Sequence, residues 1–163
     1  MASITLTREE ADDLAALLKD RPELADLAAR LAALAPPAPV SGFRLGTTSR
    51  ARLKGVHPDL VRVVEAAIER TPVDFTVLEG LRSKARQAQL VAKGASKTLN
   101  SYHITGHAVD IAPLVNGQVS WDWADYYPLA KAIKATAREL GVDITWGGDW
   151  TTFRDGPHWQ IAR

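Results

Sequence analysis

Apolar residues recur at helical spacing in two runs at the start of the chain. Thr7 and Glu10 have capping-box spacing, and Leu6 stands where it can staple against Ala11. Leu14, Leu17 and Leu18 continue the stripe until Asp20-Arg21-Pro22-Glu23 interrupts it, because proline suits the first turn of a helix and not its interior. Leu24, Leu27, Leu31 and Leu34 then line one face of a second helix. The pattern predicts a helical hairpin over residues 7–34. It is either padding or a dimer contact, or a module that targets the substrate surface; periodicity does not separate these. Pro36, Pro37 and Pro39 follow, and such a run favours an extended conformation of ~3.1 Å per residue. The domain boundary is expected here, with hairpin and linker over residues 1–42 and a second unit over 43–163.

The second unit mixes both periods. Pro58 opens a helical stripe of Leu60, Val61, Val64, Ala67 and Ile68 that ends near Thr71-Pro72. Residues 74–79 alternate as a strand and stop at Gly80. Ser83 is a cap for a helix through Ala85, Gln89, Leu90 and Val91, with Gly94 as its stop. Residues 95–102 are small and polar and read as a loop. Residues 107–114 alternate as a strand, Asn116-Gly117 signals a hairpin, and residues 118–121 return. Asp125 or Tyr127 opens a helix that closes at Gly141; residues 142–146 and 158–161 are strands. Hairpins mixed with separate helices predict an α+β fold, a small antiparallel sheet with flanking helices.

Composition narrows the class. The 163 residues are 46% hydrophobic and 24% charged, ordinary for a globular domain. A net charge of +1, with no run of basic residues, argues against nucleic acid as a partner. No apolar run approaches the ~20 residues that span a bilayer, so stable membrane insertion is not expected. The first ten residues turn acidic where a signal peptide has its apolar core, which predicts synthesis in the cytoplasm without an export signal. There is no cysteine, so any metal must be held by His, Asp or Glu.

The chemistry concentrates in two places. Residues 101–110 form the frame Ser-x-His-x-x-Gly-x-Ala-x-Asp, with His103 and Asp110 seven apart, and His158 follows in Asp155-Gly156-Pro157-His158-Trp159. Imidazole, carboxylate and imidazole are a common set for a catalytic zinc that keeps one position open for water. Asp110 lies between Val109 and Ile111 and needs a partner or a metal, since burying a lone carboxylate costs several kcal/mol. The plainer alternative pairs Asp110 with an arginine and leaves His103 an ordinary loop histidine. His107 has helical metal-ligand spacing from His103, but Gly106 intervenes and the helix and glutamate of the His-Glu-x-x-His pattern are missing. His57, before Pro58, reads as a helix cap. Asp155 is placed to take a proton from water, with Asp149 as the rival acid. Arg82 is placed to hold a substrate carboxylate or an oxyanion, or else makes a surface salt bridge; Arg86 reads as exposed. Ser101 either orients His103 or binds substrate.

Residues 80–87, 101–110, 146–150 and 155–159 together resemble the M15 family of zinc peptidases, and within it the bacteriophage endolysins that act as L-alanyl–D-glutamate peptidases. The resemblance covers roughly residues 50–162. It implies the α+β fold shared by D-Ala-D-Ala metallopeptidases and the hedgehog signalling domain. It implies one zinc ion held by His103, Asp110 and His158, with Asp155 as base and Arg82 steadying substrate or transition state. Much of the wider family carries glutamate where Asp155 stands. The shorter side chain asks its turn to come closer to the metal. The implied activity is hydrolysis of the L-Ala–D-Glu bond of bacterial peptidoglycan, after release to the cell wall through a lesion made by another protein; a monomer is expected. A D-alanyl-D-alanine carboxypeptidase on the same zinc site is the alternative enzyme. A zinc-stabilised wall-binding module without turnover is the alternative from another class.

Overall fold

The computed structural model describes residues 41–162; the expected N-terminal hairpin and most of the proline-rich linker lie outside the described residues. Helix α1 (Thr47–Arg52) leads into α2 (Pro58–Ile68), which starts where proline at the first position predicted. Strand β1 (Phe75–Glu79), helix α3 (Lys84–Ala92) and a 3₁₀ turn (Tyr102–Thr105) follow. Then come β2 (Ala108–Val115), β3 (Gln118–Val119), α4 (Trp123–Glu139), β4 (Ile144–Trp146), a second 3₁₀ turn (Gly147–Asp149) and β5 (His158–Ile161). The expected α+β class is the observed one.

The strands form one antiparallel sheet in the order β1-β2-β5-β4, with β3 paired to the end of β2. The β2–β3 turn is made by Asn116 and Gly117, both at positive φ (52° and 75°), the geometry a two-residue hairpin requires. Helices α2 and α4 supply Leu60, Val63, Val64, Ala67, Leu129 and Ile133 to the core, against Val77, Val109, Ile111 and Trp159 of the strands. Alternation along a strand puts Val109 and Ile111 on one face of β2, and Asp110 on the other. On β5 it puts Trp159 and Ile161 opposite His158 and Gln160. One face of the sheet therefore holds the core while the other is free to carry chemistry.

Several element ends and one buried helix face differ from the sequence pattern. Helix α4 begins at Trp123, two residues before the earlier expected start, because the Asp122 carboxylate accepts the Ala124 N–H at 3.0 Å and caps it. Strand β3 stops at Val119, since Ser120 turns the chain by bonding Asp125 and the Asp122 N–H. Residues 142–143 are not strand: Gly141 and Val142 donate to the carbonyls of Arg138 and Ala137 and close α4 in a Schellman motif. Helix α3 buries only Gln87, whereas Ala85 and Gln89 of the expected stripe are exposed.

Candidate metal centre and catalytic cleft

The sheet register builds most of the site. Asp110 on β2 lies directly opposite His158 on β5, and residues opposed in this way share a face. On its other side Asp110 faces Glu79 of β1. Regular alternation would have placed Glu79 with Phe75 and Val77 on the core face. A register shift between Val77 and Glu79 turns it onto the Asp110 face instead.

His103 arrives from outside the sheet. Ser101 caps the 3₁₀ turn by accepting the His103 N–H at 3.3 Å, and Gly106 ends it in the left-handed region at φ 73°. A side chain at Gly106 would also run into the Gly55 carbonyl, which explains why the sequence frame has glycine there.

Three atoms then converge. His103 Nε2 lies 3.2 Å from Asp110 Oδ1, His158 Nδ1 lies 3.4 Å from the same oxygen, and the two nitrogens are 3.3 Å apart. Donors held ~2.0 Å from a tetrahedral zinc ion stand ~3.3 Å from one another, so the triangle has the right size. The outer nitrogens are engaged as ligating histidines require. His103 Nδ1 donates to the Gly80 carbonyl at 2.8 Å, and His158 Nε2 to the Gln160 side-chain oxygen at 3.0 Å. A carbonyl can only accept, so each imidazole, when neutral, turns its lone pair towards the centre, and when protonated donates there to Asp110. The donor set fits a divalent cation, and among the described residues it is the group able to hold one. Burial would raise the Asp110 carboxyl, but hydrogen bonds from His103 and His158 outweigh it and hold it well below the usual carboxylate range. Burial would lower His158, yet the bond to Asp110 and its charge raise it.

Arg82 is buried beside the cluster and held on several sides. It donates to Gln87 Oε1 at 2.8 Å, to Glu79 Oε2 at 2.6 Å and to Asp110 Oδ2 at 3.3 Å. Its Nε is buried with no hydrogen-bond partner. It thus pins the outer oxygen of the central carboxylate. Gln87 is fully buried and in turn donates to Ser96 and to the Thr98 carbonyl, tying α3 to the loop over the cleft.

Asp155 lines the same cleft. Burial first, and then the charge of Asp110, raise its carboxyl, against the pull of His158, His103 and Arg82. Its turn is packed tightly: a Cβ on Gly147 would stand 2.6 Å from the Asp155 carbonyl oxygen and 3.1 Å from the His158 Cβ. Trp146 Nε1 donates to the Gly156 carbonyl at 2.7 Å, and the Gly156 backbone lies against the Tyr126 ring. Burial and the charges of Asp155 and Asp110 push the Tyr126 hydroxyl up to about 12.

The cleft measures about 430 Å³ and is lined by Arg82, Ser101, His103, Asp110, Asp155 and His158 among others. All six residues singled out in the sequence therefore meet in one place. The decoys do not. His57 caps α2 through the Asp59 N–H, and its ring lies 5.2 Å from that of His107, tilted by 43°; the His107 ring bonds Thr105. Asp149 is exposed and paired with Lys134 at 2.6 Å, and Arg86 is exposed. Glu79, Gln87, Gln160 and Trp150, whose ring lies 5.2 Å from that of His158, were missed. The signal for Gln160 was present, since it sits two positions from His158 on a strand and so shares its face.

Comparison with known proteins agrees with this geometry. Residues 41–159 match the family model described as phage L-alanyl-D-glutamate peptidase. The chain is 38% identical over 125 residues to the L-alanyl-D-glutamate peptidase of Escherichia phage T5, covering 74% of this chain and 90% of that one. It is 30% identical over 120 residues to the peptidoglycan L-alanyl-D-glutamate endopeptidase CwlK of Bacillus subtilis, covering 60% of this chain and 66% of CwlK. The crystal structure of the Serratia marcescens L-Ala D-Glu endopeptidase ChiX superposes with a TM-score of 0.70 at 48% identity, over 76% of this chain and 92% of ChiX. Sequence and fold together make this chain a peptidase of the phage L-alanyl-D-glutamate peptidase family.

Proposed function

We propose that the chain is a zinc-dependent endopeptidase that hydrolyses the L-Ala–D-Glu bond of bacterial peptidoglycan stem peptides, in the manner of a phage endolysin. The observation that carries this reading is the 3.2–3.4 Å triangle of His103, Asp110 and His158, set in a cleft beside Asp155. The similarity to named L-alanyl-D-glutamate peptidases supports the substrate class.

His103, Asp110 and His158 would hold the ion. A bound zinc supplies Lewis acidity, which acidifies water and polarises a carbonyl. The residues of the chain do the rest. Asp155 takes the proton of the attacking water on a carboxylate oxygen and returns it to the departing D-Glu amine. Its raised proton affinity suits this shuttle, because a weakly basic carboxylate would take the proton of water too poorly. Arg82 fixes Asp110 through its outer oxygen and sets a guanidinium charge beside the place where an oxyanion develops. Ser101 holds the His103 turn and offers its hydroxyl to substrate at the cleft wall. No described helix is long and apolar enough to cross a membrane. Delivery to the wall is by release through a lesion made by another protein, as the phage resemblance implies.

The test is digestion of purified peptidoglycan by zinc-loaded protein, beside His158→Ala, with mass spectrometry of the fragments. New L-Ala carboxyl and D-Glu amino ends, absent with the variant, are expected. Loss of terminal D-Ala alone would reassign the protein as a carboxypeptidase. Wall binding without cleavage would overturn the enzymatic reading.

A further inference from the structure

The cleft that holds the metal triangle is rich in negative charge: Glu79, Asp110 and Asp155 all line it. Its two cationic side chains among the described residues are Arg82 and Lys97. Arg82 is committed to Glu79, Asp110 and Gln87. Lys97 is different. It is exposed on the loop between α3 and the 3₁₀ turn, and its ammonium lies 5.9 Å from the centre of the Phe153 ring. Phe153 is 54% exposed and belongs to the loop that carries Asp155. Two loops that line the cleft thus meet through a lysine and an aromatic ring.

The proposed substrate explains why a cation belongs there. In a stem peptide D-Glu continues the chain through its γ-carboxyl, so the α-carboxylate is free. That carboxylate sits on the carbon bearing the scissile nitrogen. The Arg82 donors that face the acids are engaged by Glu79, Asp110 and Gln87, so Lys97 is the remaining cation of the lining placed to meet it.

We propose that Lys97, braced on Phe153, is the specificity-determining residue that reads the free α-carboxylate of D-Glu. The inference rests on the endopeptidase reading above. It makes the enzyme selective for stems with D-Glu over stems in which this group is amidated to D-isoglutamine.

Two synthetic muramyl peptides, identical except for D-Glu or D-isoglutamine, test it by kcat/KM. The wild type is expected to prefer D-Glu about tenfold, the effect of one charge-assisted hydrogen bond. In Lys97→Met the ratio falls to near one, chiefly through a higher KM on the D-Glu peptide, and Lys97→Arg retains the preference. A wild type that cuts both equally, or a Lys97→Met that keeps the tenfold ratio, overturns the assignment while leaving the endopeptidase reading in place. If the wild type cuts neither peptide between L-Ala and the second residue, the endopeptidase reading fails and the assignment falls with it.

Discussion

At the scale of single residues, the site is a contest between protons and a metal. His158 holds its proton more tightly than a free imidazole because of Asp110, and Asp110 is held below the usual range by the two histidines. Each shift has a definite sign in stability. The raised His158 value stabilises the metal-free fold below an unfolded pKa of ~6.5 and loses that contribution as pH rises through the folded value. The depressed Asp110 value contributes above ~3.9 and is lost as pH falls through its folded value. Thermal melts of chelator-treated protein should therefore show this contribution largest between about pH 4 and 6.5 and declining above. The decline should vanish in His158→Gln, and a wild-type profile that matches the variant would contradict the coupling. On the proposed zinc reading the ion has to displace the His158 proton, so calorimetry in buffers of different ionisation enthalpy should report proton release and an affinity that rises with pH. Asp155 makes a separate prediction. Asp155→Asn should lower kcat by roughly 10²–10⁴ while zinc still binds. In the wild type the acid limb of kcat/KM should lie above the ordinary carboxylate range, since burial is the main cause of its shift.

At the scale of elements, the question is how a strand, a turn and a loop are held to a few tenths of an ångström. Gln160 orients His158 from the same face of β5, and Gln160→Ala should weaken zinc binding by about 10–100-fold with the fold intact, measured by competition with a chromophoric chelator. Gly147 lets the Asp155 turn approach β4. A Cβ there meets backbone, which cannot give way cheaply, so Gly147→Ala should displace Asp155 and His158 together and cost activity beyond any loss of melting temperature. Arg154 clamps the same turn. It donates to the Gly148 carbonyl at 2.9 Å and lies 4.0 Å above the Trp123 ring.

At the scale of the whole molecule, the sheet separates stability from chemistry by its two faces. Core residues and ligands alternate along β2 and β5, so one register serves both, and a slip of one residue would bury the ligands and expose the core. This is also why so much was legible in the sequence. The frame from Ser101 to Asp110 encodes a capped turn, a glycine at positive φ and a strand, all local features with local signals. His158 stood out through its Asp-Gly-Pro turn. What stayed hidden depends on contacts distant in sequence or on irregular backbone. The Arg82–Glu79–Asp110 arrangement needs a bulge in β1 that no residue pattern announces. Gln87 looked like any polar helix residue until its burial against Ser96 and Thr98 was visible. The start of α4 was misplaced because Asp122 capped it ahead of the apolar stripe.

On the proposed reading, one zinc ion on His103, Asp110 and His158 makes this fold a peptidase. The direct measurement is to strip the metal with a chelator and titrate zinc back while peptidoglycan cleavage and bound zinc are followed on the same samples. No cleavage is expected in the stripped protein, with recovery in proportion to zinc up to about one equivalent, and neither binding nor recovery in Asp110→Ala. Full cleavage by the metal-free protein, or undiminished zinc-dependent cleavage by Asp110→Ala, would contradict it.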